Sequence, residues 1–206
     1  MRLYAFLQRH YYTGYEYLRW LRAGRPLPMH PRLKHATIRW YARNRRLKVF
    51  VETGTSSGDT VAAVSGLFRQ IYTIELAVDL WDRARRRFEG DTHITVIQGD
   101  SGKRLEDVLR AINEPCCFWL DGHYSGGTTA RGELDSPVLK ELAWISKHVL
   151  RHQHVILIDD AREFRGAGGY PTLEELDTLV RESGFNSLSV KNDIIRILNT
   201  HDVRRA

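Results

Sequence analysis

The chain has 206 residues, of which 42% are hydrophobic and 27% charged, as in an ordinary soluble globular domain. It contains no run of about 18 apolar residues that would span a membrane as a helix, and the apolar run at its N-terminus is too short for a signal peptide. The only two cysteines, Cys116 and Cys117, are adjacent. Neighbouring side chains in a strand point to opposite faces, so we expect two buried thiols and a reducing cytoplasm.

The net charge of +6 is distributed unevenly. Residues 1–48 contain twelve arginines and lysines against Glu16 alone, a charge of +11, so the other 158 residues carry −5. We therefore divide the chain into a basic, aromatic-rich helical extension (1–46) and a main domain (47–206). The extension is interrupted around residues 24–28, and a second helix is predicted over 31–45.

Two interpretations of the extension remain open. Its helices pack over one edge of the main domain with their arginines in solvent, or they form a surface for an anionic partner. That partner would be membrane head groups at the inner face of the cytoplasmic membrane, nucleic acid or an acidic glycan. The sequence does not choose among these partners, and it leaves the oligomeric state open, a homo-oligomer included.

Strands and helices alternate after residue 47. Strands are predicted at 47–52, 71–75, 94–97, 116–121 and 155–158, with helices at about 58–69, 79–88, 103–112 and 136–150, and one opened by Pro171. Two further strands, 188–190 and 194–198, flank a hairpin turn. This order predicts an α/β fold, a doubly wound, mostly parallel, Rossmann-like seven-stranded sheet with an antiparallel C-terminal hairpin and an N-terminal helical extension.

The turn after the first strand is rich in small residues. A β-branched and aromatic run, Val49 to Val51, leads through Glu52 into Gly54 and Gly58, and a helix follows. Glycine lets a ligand approach the backbone closely, and the helix start presents free N–H groups. This pattern favours a nucleotide-like ligand at the turn, although an ordinary strand-to-helix connection has the same elements.

Acidic residues stand at the end of each of the five parallel strands: Glu52, Glu75, Asp100, Asp121 and the pair Asp159-Asp160. Ligands of open parallel sheets bind at this edge. Glu75 lies 23 positions after Glu52, about where an acid accepts hydrogen bonds from ribose hydroxyls. A nicotinamide cofactor is less favoured because Ser56 occupies the position of the second glycine. Helix capping is the simpler role for any one of these acids.

At this point the chain, over about residues 47–198, resembles the class I S-adenosylmethionine-dependent methyltransferases. Their first motif resembles Val51 to Gly58, with serine at the middle glycine. The resemblance implies S-adenosylmethionine as cofactor, with Glu75 on the ribose hydroxyls, Asp100 facing the adenine amino group and Asp121 beside the reaction centre. The cofactor-binding set predicted in this way is Glu52, Gly54, Thr55, Ser56, Ser57, Gly58, Glu75, Asp100, Ser101 and Asp121.

Two shorter segments, Asp121-Gly122-His123-Tyr124-Ser125-Gly126-Gly127 and residues 158–162, resemble a group of small bacterial methyltransferases. That group is distantly similar to macrocin-type sugar O-methyltransferases. Macrocin-type and catechol-type enzymes hold a divalent ion at acids in these positions, which implies an ion at Asp121, Asp159 and Asp160. Three carboxylates suit Mg²⁺, Mn²⁺ or Ca²⁺. Alternatively, Asp160 is a cap and Asp121 serves the cofactor.

His123 is the candidate general base, with Asp121 as the second catalytic residue. Imidazole takes up a proton near neutral pH, and His123 follows Asp121 by two residues; an exposed loop histidine or a metal ligand are the alternatives. The function expected from the sequence is metal-assisted O-methylation of a hydroxyl on a sugar or natural product, so the partner is a small-molecule or glycan acceptor. RNA methylation through the basic extension and cofactor binding without catalysis are the alternatives.

Overall fold

A computed structural model of the chain describes residues 14–122 and 136–199. The seven strands of its single sheet are β1 (Val49–Thr53), β2 (Gln70–Glu75), β3 (Ile94–Gln98), β4 (Cys116–Leu120), β5 (Val155–Ile158), β6 (Ser187–Lys191) and β7 (Ile194–Leu198). Their order is β3-β2-β1-β4-β5-β7-β6. The first five are parallel, whereas β7 is antiparallel to both β5 and β6. The predicted fold class is therefore confirmed.

The helices follow the predicted order. They are α1 (residues 14–22), α2 (Pro31–Asn44), α3 (Asp59–Val64), α4 (Val78–Arg87), α5 (Ser101–Ala111), α6 (Val138–Lys147) and α7 (Leu173–Glu182). The helix predicted to begin at Pro171 begins instead after Thr172, which forms a capping box with Glu175. This reciprocal pair satisfies backbone donors at the helix start that proline cannot satisfy.

The sheet has a hydrophobic core on each face. Helices α5, α6 and α7 bury side chains such as Leu105 and Leu176 against one face, and α2 and α3 cover the other. Cys116 and Cys117 lie in opposite cores, both as free thiols. Burial raises the pKa of both thiols, as expected for inert structural cysteines.

Helix α2 belongs to the second of these cores. Ile38, Tyr41 and Ala42 are buried together with residues of β1, β4 and α3. Lys34 lies one turn before Ile38, on the same stripe of the helix. Because α2 lies across a face of the sheet, this stripe brings Lys34 to the carboxyl end of the strands. None of the helices within residues 14–122 and 136–199 is long and apolar enough to cross a bilayer.

Candidate active site

Backbone hydrogen bonds extend beyond the strands at the carboxyl edge of the sheet. The Asp121 N–H donates to the Thr53 carbonyl oxygen at 3.0 Å, and the Asp159 N–H donates to the Leu120 carbonyl oxygen at 3.0 Å. These bonds hold the residues after β1, β4 and β5 side by side. The acids expected at one edge are therefore neighbours in space.

The turn after β1 approaches the end of β4 very closely. Gly54 has φ +83°, and a Cβ atom there would lie 2.4 Å from the Asp121 carbonyl oxygen. Ser56 has φ +47°, so the serine adopts the left-handed conformation that glycine adopts at little cost. The Ser56 N–H donates to Glu75 Oε2 at 2.7 Å. The replacement of glycine by serine therefore leaves the turn in a glycine-like path.

The carboxylate of Glu75 lies between two loops. Its Oε2 accepts from Ser56 N–H, and its Oε1 accepts from Ala77 N–H at 2.9 Å. An ionised carboxylate offers about four acceptor positions, so two backbone bonds leave capacity for hydroxyl groups. The binding of ribose hydroxyls by Glu75 stays a prediction.

The side chains of Glu52 and Thr55 point into the protein. Glu52 is 1% exposed and accepts from Thr73 Oγ1 at 2.6 Å, and Thr73 Oγ1 lies 2.6 Å from Thr55 Oγ1. Burial raises the pKa of Glu52 to about 8. This buried chain supports the turn from behind, so the side chains of these two predicted residues do not face the open edge.

Helix α4 braces the far end of the turn. Arg87 Nη1 donates to the Ser57 carbonyl oxygen and, at 2.8 Å, to Asp59 Oδ1, while Ser57 Oγ donates to Asp59 Oδ2. A Cβ atom on Gly58 would lie 2.7 Å from the Phe88 ring. Contacts of Ser57 and Gly58 with Arg87 and Phe88 therefore hold the turn in position.

Asp100 and Ser101 stand at the start of α5. Asp100 Oδ1 accepts from Gly102 N–H at 2.8 Å and caps the helix, as the simpler interpretation of this acid predicts. Ser101 is buried and donates to Glu141 Oε1 at 2.5 Å. Burial raises the pKa of Glu141 to about 7. Sequence reasoning missed Glu141, although its position three residues after Val138 and four before Ile145, on the buried stripe of α6, is a signal that it points inward.

The structure brings together three aspartates, as predicted. We call Asp121, Asp159 and Asp160 the acidic cluster. One carboxylate oxygen from each lies within 4.8 Å of the others. Burial, followed by the charge of Asp159, raises the pKa of Asp121 well above its usual range. Burial likewise raises the pKa of Asp159 to about 6, against the opposing effect of Lys34. The cluster therefore concentrates negative charge where burial disfavours it.

Two cations lie against the acidic cluster. Lys34 Nζ donates to Asp159 Oδ2 and lies 3.4 Å from Asp160 Oδ1. Arg162 Nη1 donates to Asp160 Oδ1 at 2.8 Å and also pairs with Asp193 in the hairpin turn. Sequence reasoning counted Lys34 among the basic residues of the extension and assigned it no partner in the main domain. Its position four residues before Ile38, on the buried stripe of α2, is the signal that it points inward.

The acidic cluster offers three possible ligands for a divalent ion, and Lys34 contacts two of the same three carboxylates. The carboxylate oxygens are hard ligands suited to Mg²⁺, and they are the only group of three such ligands among residues 14–122 and 136–199. However, the lysine ammonium already contacts two of the three carboxylates. The charge that the ion was expected to supply comes, in this geometry, from the chain itself.

A small pocket adjoins the acidic cluster. Its lining includes Asp121, Asp159, Ser136, Glu141 and Tyr170. Burial raises the pKa of the Tyr170 hydroxyl, so this group stays neutral and can donate a hydrogen bond. His123, the predicted base, lies outside the described residues.

No family model matches the chain, and no curated protein does. Solved structures do. The O-methyltransferase from Bacillus cereus in complex with SAH has a TM-score of 0.61 at 15% identity over 90% of both chains. SAH-bound Podospora anserina methyltransferase PaMTH1 has a TM-score of 0.59 at 18% identity over 90% of this chain and 87% of that one.

A third structure is the O-methyltransferase TomG from Streptomyces achromogenes, involved in tomaymycin synthesis and solved in complex with SAM. It has a TM-score of 0.55 at 14% identity and covers 82% of this chain and 78% of its own. At these identities the likeness concerns the fold. The chain has the class I methyltransferase fold.

Proposed function

We propose that this protein is an S-adenosylmethionine-dependent O-methyltransferase acting on a hydroxyl group of a small molecule or glycan. The observation that carries the proposal is the bond between Ser56 N–H and the Glu75 carboxylate. This bond holds a carboxylate beside a glycine-like turn, at the carboxyl edge of a sheet with this strand order, where it would be able to accept hydrogen bonds from ribose hydroxyls. The solved structures named above, two with SAH and one with SAM, support the proposal.

The residues at this edge fit the cofactor. Gly54 lets the turn lie against the Asp121 backbone, the Ser56 backbone takes the left-handed path, and Glu75 retains acceptor capacity. When bound, S-adenosylmethionine supplies a sulfonium methyl group; its transfer to a hydroxyl oxygen breaks the carbon–sulfur bond, forms a methyl ether and releases one proton. Asp100 and Ser101 hold the start of α5 beside this edge.

The acceptor would occupy the pocket beside the acidic cluster. Carboxylates accept hydrogen bonds from hydroxyl groups, so Asp121 and Asp159 would orient a hydroxyl-rich molecule, and Tyr170 would donate to it. His123, two residues after Asp121, is proposed as the base that removes the hydroxyl proton. Alternatively, a divalent ion bound by Asp121, Asp159 and Asp160 would supply positive charge at this site. Lys34 would then have to move away from Asp159 and Asp160.

The basic extension is proposed to meet an anionic acceptor or partner through its outer face. Two basic residues of α2 are directed inward. Lys34 contacts Asp159, and Arg39 Nη2 donates to the Ala63 carbonyl oxygen at 2.7 Å. Arg32, Trp40 and Arg43 are exposed on α2. Their charge and aromatic area are also compatible with RNA, so an RNA substrate is the alternative acceptor.

The test is calorimetric titration of the full chain with S-adenosylmethionine and S-adenosylhomocysteine. It is followed by incubation with methyl-labelled S-adenosylmethionine and panels of sugars, phenolic natural products and RNA. We expect one cofactor site and label transfer to a hydroxyl acceptor. Transfer to RNA alone would replace the proposed substrate class, binding without any transfer would favour the non-catalytic alternative, and absence of cofactor binding would refute the proposal.

A further inference from the structure

We propose that Lys34 supplies the positive charge of the acidic cluster in place of a divalent ion, so that the site is metal-independent. This inference deepens the proposed function and takes its chemical meaning from it. Its test measures metal binding directly. A result that refutes metal independence therefore differs from a result that refutes the proposed methyltransferase function.

The position of the ammonium group is the first argument. Lys34 Nζ donates to Asp159 Oδ2 and lies 3.4 Å from Asp160 Oδ1. The Asp159 side chain is 1% exposed and the Lys34 side chain 18% exposed. The contact is therefore a largely desolvated charge pair at the centre of the cluster, unlike an exposed lysine that happens to pass an acid.

The anchoring of the lysine is the second argument. Ile38, one helical turn along α2, is fully buried, and Tyr41 and Ala42 continue the same buried stripe. The backbone that presents Lys34 is thus fixed against the sheet by hydrophobic packing. A flexible side chain on a fixed helix can hold one position only if its charged end is satisfied there, and the two carboxylates satisfy it.

Competition for ligand atoms is the third argument. An ion bound by Asp121, Asp159 and Asp160 would take the oxygen atoms that Lys34 now contacts, and it would place two positive charges beside the ammonium group. Binding would therefore have to expel Lys34 from a mostly buried position and leave its charge without these partners. Arg162 does not substitute for the lysine, because its guanidinium is shared with Asp193.

The chemical consequence is a positioning role for Lys34. A fixed positive charge keeps the carboxylates of the pocket wall in place and lowers the cost of negative charge that develops on a substrate hydroxyl nearby. Lys34 and Arg162 together place two positive charges against the three carboxyl groups, whose remaining oxygen atoms can accept hydrogen bonds from a hydroxyl-rich acceptor.

The test is Mn²⁺ binding followed by electron paramagnetic resonance of the free ion, on the full chain. Wild type and the control Lys48→Met, a lysine exposed just before β1, should leave Mn²⁺ free at ion concentrations at which Lys34→Met binds one equivalent. We expect Lys34→Met to bind Mn²⁺ at least ~10-fold more tightly than wild type. Adding Asp159→Asn to Lys34→Met should abolish this binding.

Lys34→Arg provides a second variant that keeps the charge and should leave Mn²⁺ free, as wild type does. One-site Mn²⁺ binding by wild type that is lost in Asp159→Asn would overturn the proposal, whether or not the lysine variants fold. Failure of a folded Lys34→Met to bind Mn²⁺ would also overturn it. Titration of the same samples with S-adenosylhomocysteine reports separately on the proposed function.

Discussion

The backbone N–H of Ser56 lies 2.7 Å from Oε2 of Glu75 and donates a hydrogen bond to it. This bond joins the turn after β1 to the end of β2. The turn therefore takes its shape partly from the same carboxylate that we assign to the ribose. Changes at Glu75 should consequently affect both the ligand and the loop that surrounds it.

Glu75→Gln should weaken S-adenosylhomocysteine binding. The amide keeps the size of the side chain but loses the negative charge, and one of its two polar atoms becomes a donor facing a backbone N–H. Hydrogen bonds to charged groups contribute about 1.5–3 kcal/mol, so we expect a loss of about 10- to 100-fold in affinity by calorimetry. Glu89→Gln, at an exposed glutamate after α4, is the matched control. Unchanged affinity in Glu75→Gln would show that the ribose is held elsewhere.

Gly54→Ala should lose cofactor binding and destabilise the fold. Its Cβ would lie 2.4 Å from the Asp121 carbonyl oxygen, on a residue with φ +83°. A left-handed alanine with this contact should lower the free energy of unfolding by about 1–3 kcal/mol, measured by urea titration. Gly90→Ala is the control, because no atom lies within 4 Å of its added Cβ. Equal stability of the two variants would contradict the close approach of β1 and β4.

Stability should decrease between about pH 4.5 and 8 because of Glu52. Burial raises the pKa of Glu52 to about 8, from 4.5 in the unfolded chain. The folded state therefore holds a proton that the unfolded state has lost, and the stabilisation present below pH 4.5 disappears as the pH rises to about 8. The loss should be on the order of 4 kcal/mol.

Urea unfolding at pH 5 and pH 9 checks this expectation. Glu52→Gln, which is neutral at both values, should show a smaller decrease than wild type. Glu141, whose pKa is raised to about 7, should account for part of the decrease that remains in that variant. Identical decreases in wild type and Glu52→Gln would mean that Glu52 is ionised in the folded protein.

Stability should also decrease in acid because of His154. This histidine is 2% exposed; its Nδ1 accepts from Cys116 N–H at 3.0 Å, and its Nε2 lies 2.8 Å from Nδ1 of His148. Burial lowers its pKa to about 3. Below pH 6.5 His154 is protonated in the unfolded chain but stays neutral in the folded chain. The free energy of unfolding therefore falls between about pH 6.5 and 3.

Circular dichroism during acid titration measures this effect, which should be on the order of 4 kcal/mol at the acid end. In His154→Gln the acid-dependent part of the loss should be smaller, although the variant starts from a lower stability because the buried bond to Cys116 is altered. His93→Gln, at a partly exposed histidine, is the control for the loss of one imidazole. An acid transition in His154→Gln as steep as that of wild type would contradict the assignment.

Periodicity was sufficient to predict the sheet. Apolar runs such as Val155 to Ile158 and the turn at Asn192-Asp193 depend on local sequence, and the structure confirms the strands there. Helix ends were less accurate: the helix predicted over 136–150 is α6, Val138–Lys147. Ends depend on capping bonds, such as the one that Thr172 makes, which the apolar pattern does not contain.

The candidate site was predictable where strand ends determine it. Acids that follow parallel strands must meet at one edge, so Asp121, Asp159 and Asp160 were brought together as expected. The inward direction of Thr55 and the burial of Glu141 depend on tertiary contacts with β2 and α5. Lys34 is distant in sequence from its partners by 125 residues, so no local pattern names them.

The strands of the sheet all lie after residue 47. Lys34, which contacts the acidic cluster at the carboxyl edge of the sheet, lies before it, on α2. A fragment beginning at Leu47 would contain every strand, yet it would lack the lysine of the acidic cluster and the helix that buries Ile38 and Tyr41. Grafting residues 47–198 alone onto another protein would transfer the architecture without its counter-charge. Substitutions in the first 46 residues can thus change the charge beside the acidic cluster without changing any residue of the sheet.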